Sequence, residues 1–155
     1  MTIRYSVEND VGAILVNDGI ENNVINSQST ITNINKILKD KGFNEAWSHR
    51  IINTESNSAT LIYQPKGEGN RLHFHPDFDE WWYIVSGEWV VEIGTVKIIA
   101  VEDDFVLINR GTLHRITAVG DKPSVRLAVN KDMVKHIYKE GGEGMDKIKE
   151  IEEKK

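Results

Sequence analysis

The chain has 155 residues, enough for one domain that encloses a core without disulfides, and its 39% hydrophobic and 28% charged content is that of an ordinary globular protein. A formal net charge of -5 offers no field to attract phosphate backbones or anionic lipid, so no nucleic acid and no membrane is expected as a partner. The absence of cysteine excludes disulfides, thiolate ligands and a cysteine nucleophile.

The first residues, MTIRYSVENDVGAILVNDG, set Glu8 and Asp10 ahead of only a short apolar run, which predicts neither a secretory signal nor a membrane span and makes the cytoplasm the expected location. Residues 11–16 read as a strand closed by the turn formers Asn17, Asp18 and Gly19. From Ser29 the spacing becomes helical: Ile31, Ile34, Ile37 and Leu38 share a side, Ser or Thr caps the start and Gly42 ends it, so a helix over 29–41 is predicted to pack against the rest. Short β-like runs broken by turn residues follow at 59–64, 71–75, 80–85, 89–93, 96–101, 105–108, 113–118 and 124–129. That rhythm predicts an all-β sandwich or barrel. The segment from Lys131 is charge-rich and is expected to be helical around 145–152 or frayed, and to carry no chemistry. Neither an internal repeat nor a linker rich in Pro or Ser divides the chain, so 1–140 is expected as one domain with a charged tail at 141–155.

The chemistry concentrates in GEGNRLHFHPDFDEWWYIVSG, residues 67–87. Side chains alternate across a strand, so His73 and His75 project to one face, with Arg71 before them. Glu80 lies an odd number of positions after His75 and cannot share that face if the strand simply continues. A turn at Pro76, Asp77, Phe78 and Asp79 resolves this, with the aspartates bonding nearby backbone amides. A hairpin is therefore predicted, whose returning strand carries Glu80, Trp82 and Ile84 on one face and Trp81, Tyr83 and Val85 on the other. Two imidazoles and a carboxylate suit Fe(II), Mn(II), Ni(II) or Zn(II). A further histidine, His114, follows the turn at Asn109, Arg110, Gly111 and Thr112, and Ile116 and Ala118 share its face by parity. Three neutral imidazoles and one carboxylate leave a divalent ion with a charge of about +1 and roughly two of six octahedral positions open.

These segments resemble the paired motifs of the cupin superfamily. The first reads Gly67, five residues, His73-Phe74-His75, four residues, Glu80, six residues, Gly87, and matches at every defining position. In the second, Gly111 and His114 are kept, while Asp103, Asn109 and Ala118 stand where the pattern has Gly, Pro and Asn. These departures fall on turn and packing positions, and all four ligand positions are intact. The resemblance covers about residues 58–130 and implies a double-stranded β-helix, or jelly-roll barrel, with one divalent transition metal in its mouth held by His73, His75, Glu80 and His114.

It most readily implies a mononuclear enzyme, a dioxygenase holding Fe(II) and acting on a small organic substrate, with Mn, Ni or Zn as other possible ions. Metal-assisted isomerisation, elimination or decarboxylation is the alternative reaction, and a non-catalytic small-molecule-binding module the alternative role. Arg71 either binds a substrate carboxylate or phosphate or pairs at the rim with an acidic neighbour such as Glu68. Trp82 either walls the substrate site or packs in the core. His49 and His136 have no such context and read as surface residues. The apolar bulk of Trp81 and Tyr83 on an outer face predicts a homodimer.

Overall fold

The computed structural model describes residues 29–54 and 56–131 in full, and the backbone of five further strands outside them. Seven strands form one antiparallel sheet, in the order β14 (Glu150–Glu152), β1 (Arg4–Asp10), β13 (Val134–Lys139), β6 (His73–Phe74), β11 (His114–Ala118), β8 (Glu88–Ile93) and β9 (Val96–Val101). Five form the other, in the order β10 (Phe105–Ile108), β7 (Glu80–Ser86), β12 (Ser124–Asn130), β5 (Ser58–Gln64) and β4 (Trp47–Asn53). A separate hairpin joins β2 (Ile14–Val16) and β3 (Gly19–Glu21). The two large sheets face one another as a jelly-roll barrel, the double-stranded β-helix that the motifs imply.

The lumen is filled by residues that alternate along each strand: Trp82 and Ile84 from β7, Trp89 and Val91 from β8, Val106 and Ile108 from β10, Ile116 and Ala118 from β11. A second cluster lies on the outer face of the five-stranded sheet, where Ile37 packs with Trp47, Leu61, Tyr63 and Val125. Ile37 belongs to α1 (Ile34–Lys41), which covers that face as predicted. The cover explains why β5 is buried at every position: Ile62 serves the lumen while Leu61 and Tyr63 serve the helix.

The helix starts later than its spacing predicts. Asn33 is the N-cap, its side chain accepting from the Lys36 N–H at 3.0 Å, so Ser29–Thr32 stay outside. Gly42 ends it, at φ 67° with its N–H on the Leu38 carbonyl. Trp47 Nε1 donates to the Gly42 carbonyl and Tyr63 Oη to that of Phe43, each at 2.8 Å, tying the helix end to the sheet.

Other predictions shift for reasons of pairing. Residues 71–75 yield only the two-residue β6, and Gly19, read as a turn former, opens β3 opposite Val16; residues 11–13, Asn17 and Asp18 lie outside the described residues. Trp47–Asn53, not predicted as a strand, pairs along β5. In the tail, Val134–Lys139 joins the larger sheet between β1 and β6, and Glu150–Glu152 pairs with β1 as a strand, against the helix expected there; residues 145–149 are outside the described residues. The predicted hairpin between His75 and Glu80 does not form, because β6 pairs with β11 and β13 while β7 pairs with β10 and β12. The chain crosses from one sheet to the other at that point. Among the described residues no helix is long and apolar enough to cross a membrane.

Candidate metal centre

The crossing places the predicted ligands on both sheets. His73 on β6 stands directly opposite His114 on β11, their rings 4.3 Å apart between centroids. His75 follows β6, and its carbonyl accepts the Gly111 N–H at 2.7 Å, a bond that Gly111 reaches at φ 75°, where a side chain would be strained. Glu80 opens β7 in the facing sheet. Asp79 steadies the turn: its carboxylate accepts the Arg110 backbone N–H at 2.9 Å and pairs with the Arg110 guanidinium at 3.1 Å. The aspartate predicted to bond its own turn instead ties that turn to the one before His114.

One ligand atom from each of His73, His75, Glu80 and His114 lies within 4.8 Å of every other, and all four residues are buried. A metal with bonds of about 2.1 Å sets cis ligands about 3 Å apart and trans ligands about 4.2 Å apart, so the cluster is close to the size such an ion demands. His75 Nε2 is 2.9 Å and His114 Nε2 3.5 Å from Glu80 Oε2. Nδ1 of His73 meets the Arg71 carbonyl at 2.6 Å and Nδ1 of His114 the Thr112 carbonyl at 2.8 Å. A carbonyl only accepts, so in both rings Nδ1 carries the proton and Nε2 keeps its lone pair for a ligand bond. His114 Nε2 and Glu80 Oε2 are buried with no hydrogen-bond partner among the described residues, which fits two atoms meant for a common cation.

Burial opposes ionisation of Glu80, but the charge of His75 and the imidazoles of His114 and His75 close beside it outweigh that and hold the carboxyl well below its usual range. Its other oxygen is engaged: Trp82 Nε1 donates to Glu80 Oε1 at 2.9 Å, leaving Oε2 toward the histidines. The Trp82 ring also meets that of His114 edge-on at 5.8 Å. Trp82, expected as a substrate wall or as core packing, is a core residue that also bonds the candidate ligand Glu80. Arg71 is buried, not at an open rim, and its carbonyl orients His73. Outward-facing Tyr83 donates to Asp103, which stands at φ 71° where the motif has Gly; Asp tolerates that conformation better than most residues. Ala118, where the motif has Asn, is buried in the core, and its backbone bonds Gly67 and Glu68 at 2.7 and 2.8 Å. His49 is half-buried in β4 instead of on the surface, its pKa lowered by burial and by Lys41, and it takes no part in the cluster; the side chain of His136 is outside the described residues.

One lumen residue escaped the sequence reading. Arg126 on β12 is 1% exposed, with Nη1 on Gln64 Oε1 at 2.5 Å and Nη2 on Asn70 Oδ1 at 3.0 Å. Its guanidinium lies 4.8 Å from the Trp89 ring centroid and 5.6 Å from that of Trp82. Burial pushes its pKa down to about 9, opposed by the field of Glu80, so it is a cation at neutral pH. The available signal was parity, since Arg126 and Ala128 share a face in a strand whose other residues are apolar or small.

The family model of the cupin domain matches residues 59–130, the stretch that holds all four candidate ligands. The chain carries a cupin domain at residues 59–130. This cupin is 31% identical over 58 residues to the tetracenomycin polyketide synthase protein TcmJ of Streptomyces glaucescens, a match spanning 37% of this chain and 39% of that protein. In structure it resembles the protein TT1209 of Thermus thermophilus, with a TM-score of 0.60 and 18% identity over 67% of this chain and 98% of that one. An uncharacterised Klebsiella pneumoniae protein with a double-stranded β-helix domain superposes with a TM-score of 0.57 and 16% identity, over 83% of this chain and 100% of its own.

Proposed function

We propose that this cupin is a mononuclear metal-dependent enzyme acting on a small organic substrate, with one divalent transition metal, Fe(II) in the first instance, held by His73, His75, Glu80 and His114. The observation that carries the reading is the buried convergence of those four ligand atoms within 4.8 Å. Such an ion would supply Lewis acidity and, in the dioxygenase reading, activation of dioxygen toward a small organic substrate. The chain's own residues do the rest. The Arg71 and Thr112 carbonyls fix the tautomers of His73 and His114, Trp82 orients Glu80, and burial excludes bulk water. Arg71 is the proposed contact for a substrate carboxylate or phosphate. The proposal sets the protein in the cytoplasm, where reducing conditions keep iron ferrous. It also includes a homodimer formed through the face of Trp81, Phe105 and Leu107, which are 37%, 71% and 60% exposed.

The test begins with elemental analysis of untagged protein, for which one transition metal per chain is expected. Only trace metal after reconstitution would remove the reading. Oxygen uptake with Fe(II) is then screened against catechols, diketones, thiols and small acids, with His75→Ala and Glu80→Ala expected to lose metal and turnover together. The likeness to TcmJ, a polyketide synthase protein, favours a second reading in which the ion acts on a carbonyl substrate as a Lewis acid without oxygen. Turnover of sugar or keto-acid substrates under anaerobic conditions, with no oxygen uptake in the screen, would select it. Ligand binding retained by metal-free protein, without turnover, would instead select a binding module.

A further inference from the structure

Among the described residues Glu80 is the only carboxylate residue buried as a whole, with Oε2 of half-buried Glu68 also shielded, while Arg50, Arg71 and Arg126 are all buried. Arg126 lies inside the lumen, over the rings of Trp82 and Trp89. Its two bonded partners, Gln64 and Asn70, are neutral amides, which accept from Nη1 and Nη2 without cancelling its charge. Its Nε is buried with no hydrogen-bond partner among the described residues. A buried cation bonded only to neutral amides is costly, and among the described residues Glu80 is the one carboxylate residue buried as a whole. In the proposed function Glu80 must also serve a divalent ion, so the occupied interior carries a surplus of positive charge.

We propose that the ligand accepted at this centre is an organic anion that chelates through oxygen, a dicarboxylate or an enolate, and that Arg126 selects it over a neutral molecule of the same shape. The anion supplies the missing negative charge. In a core of low effective dielectric, Arg126 favours it through the field without touching it, so Arg126 is a specificity-determining residue, not a ligand or a catalytic one. This inference rests on the metal-centre reading.

The two are separated by loading the protein with Co(II) and following the visible absorption of the ion while malonate, or its uncharged analogue malonamide, is titrated in. Failure of the wild type to bind Co(II) would overturn the metal reading, and this inference with it. With Co(II) bound, the wild type is expected to prefer malonate strongly. Arg126→Gln should keep Co(II) binding and malonamide affinity but reduce the malonate preference about tenfold, whereas Arg126→Lys, which keeps the charge, should retain most of it. Gln64→Glu attacks the same point if Arg126→Gln does not fold, since it sets a carboxylate against Nη1 and neutralises Arg126 in place. It breaks no bond of the Gln64 amide nitrogen, which is buried without a hydrogen-bond partner among the described residues. It too should reduce the preference about tenfold. An unchanged preference in Arg126→Gln or Gln64→Glu, or equal binding of malonate and malonamide by the wild type, would overturn the inference.

Discussion

Replacing Trp82 by Phe separates packing from ligand orientation at this centre. The substitution keeps an aromatic ring at a 1% exposed position but removes the indole N–H that holds Glu80 Oε1 at 2.9 Å. A hydrogen bond to a charged group is worth about 1.5–3 kcal/mol when lost from a buried site. The missing part of the indole leaves a void of roughly 40 Å³, which costs about 1 kcal/mol more. Metal-free Trp82→Phe should therefore be less stable by about 2.5–4 kcal/mol, a fall in Tm of roughly 5–15 °C for a chain of this length. If Trp82 only packs the core, the effect ends there. If it keeps Glu80 directed through Oε2, freeing Oε1 should also weaken metal binding by about 10–100-fold, as loss of a partner behind a ligand does elsewhere. Thermal unfolding of the metal-free protein and Co(II) titration of the folded protein measure the two effects independently. A variant that loses stability as expected yet binds Co(II) within about twofold of wild type would refute the orienting role.

Removal of metal by a chelator should lower Tm, and restoring a divalent ion to about 100 times its Kd should add about 2.7 kcal/mol of stability; a Tm insensitive to metal would contradict the site. Glu80 has its pKa depressed in the folded state, so its contribution is present above the unfolded value near 4.5 and lost as pH falls through the folded value. Metal-free wild type should therefore lose Tm below about pH 4.5, and Glu80→Gln should show a flatter acid limb; parallel curves would count against the depressed carboxyl. Asp79→Ala should leave the protein folded but weaken metal binding by about 10-fold, because it unties the turn before Glu80 from the turn before His114, and Co(II) titration reads the change. Paired charges at the exposed face, Phe105→Glu with Leu107→Glu, should turn a dimer into a monomer by light scattering without loss of metal; wild type that is already monomeric would remove the homodimer.

Period and spacing made several barrel strands legible because one face of each is buried and the other is not. Alternation is plain in β7, where Glu80, Trp82 and Ile84 are buried and Trp81 is exposed, and in β11, where His114, Ile116 and Ala118 are buried. It failed where both faces or neither is covered. In β4, Trp47 serves the cluster under the helix while Arg50 bonds Thr60, so WSHRIIN reads as no period at all. Residues 134–139 and 150–152 became strands because the open edge of the larger sheet was there to pair with, which no local pattern in a charge-rich tail announces.

The ligand set was legible for a firmer reason than its connection. An odd spacing between His75 and Glu80 requires the chain to reverse the face it presents, and it says nothing about which strand receives it afterwards. A hairpin and a crossing between sheets satisfy that parity equally. The structure takes the crossing, which sets two imidazoles and a carboxylate across the lumen instead of along one ribbon and makes His114, far away in sequence, the direct neighbour of His73. Arg126 shows the opposite limit. Its inward position followed from parity with Ala128, but its meaning did not, because a buried guanidinium is defined by what fails to neutralise it. Gln64 and Asn70 are separated from it by 62 and 56 positions, and only their convergence shows that its two bonded partners are neutral amides. A motif reports the candidate metal ligands; the charge that the rest of the core presents to them emerges only when the sheets close.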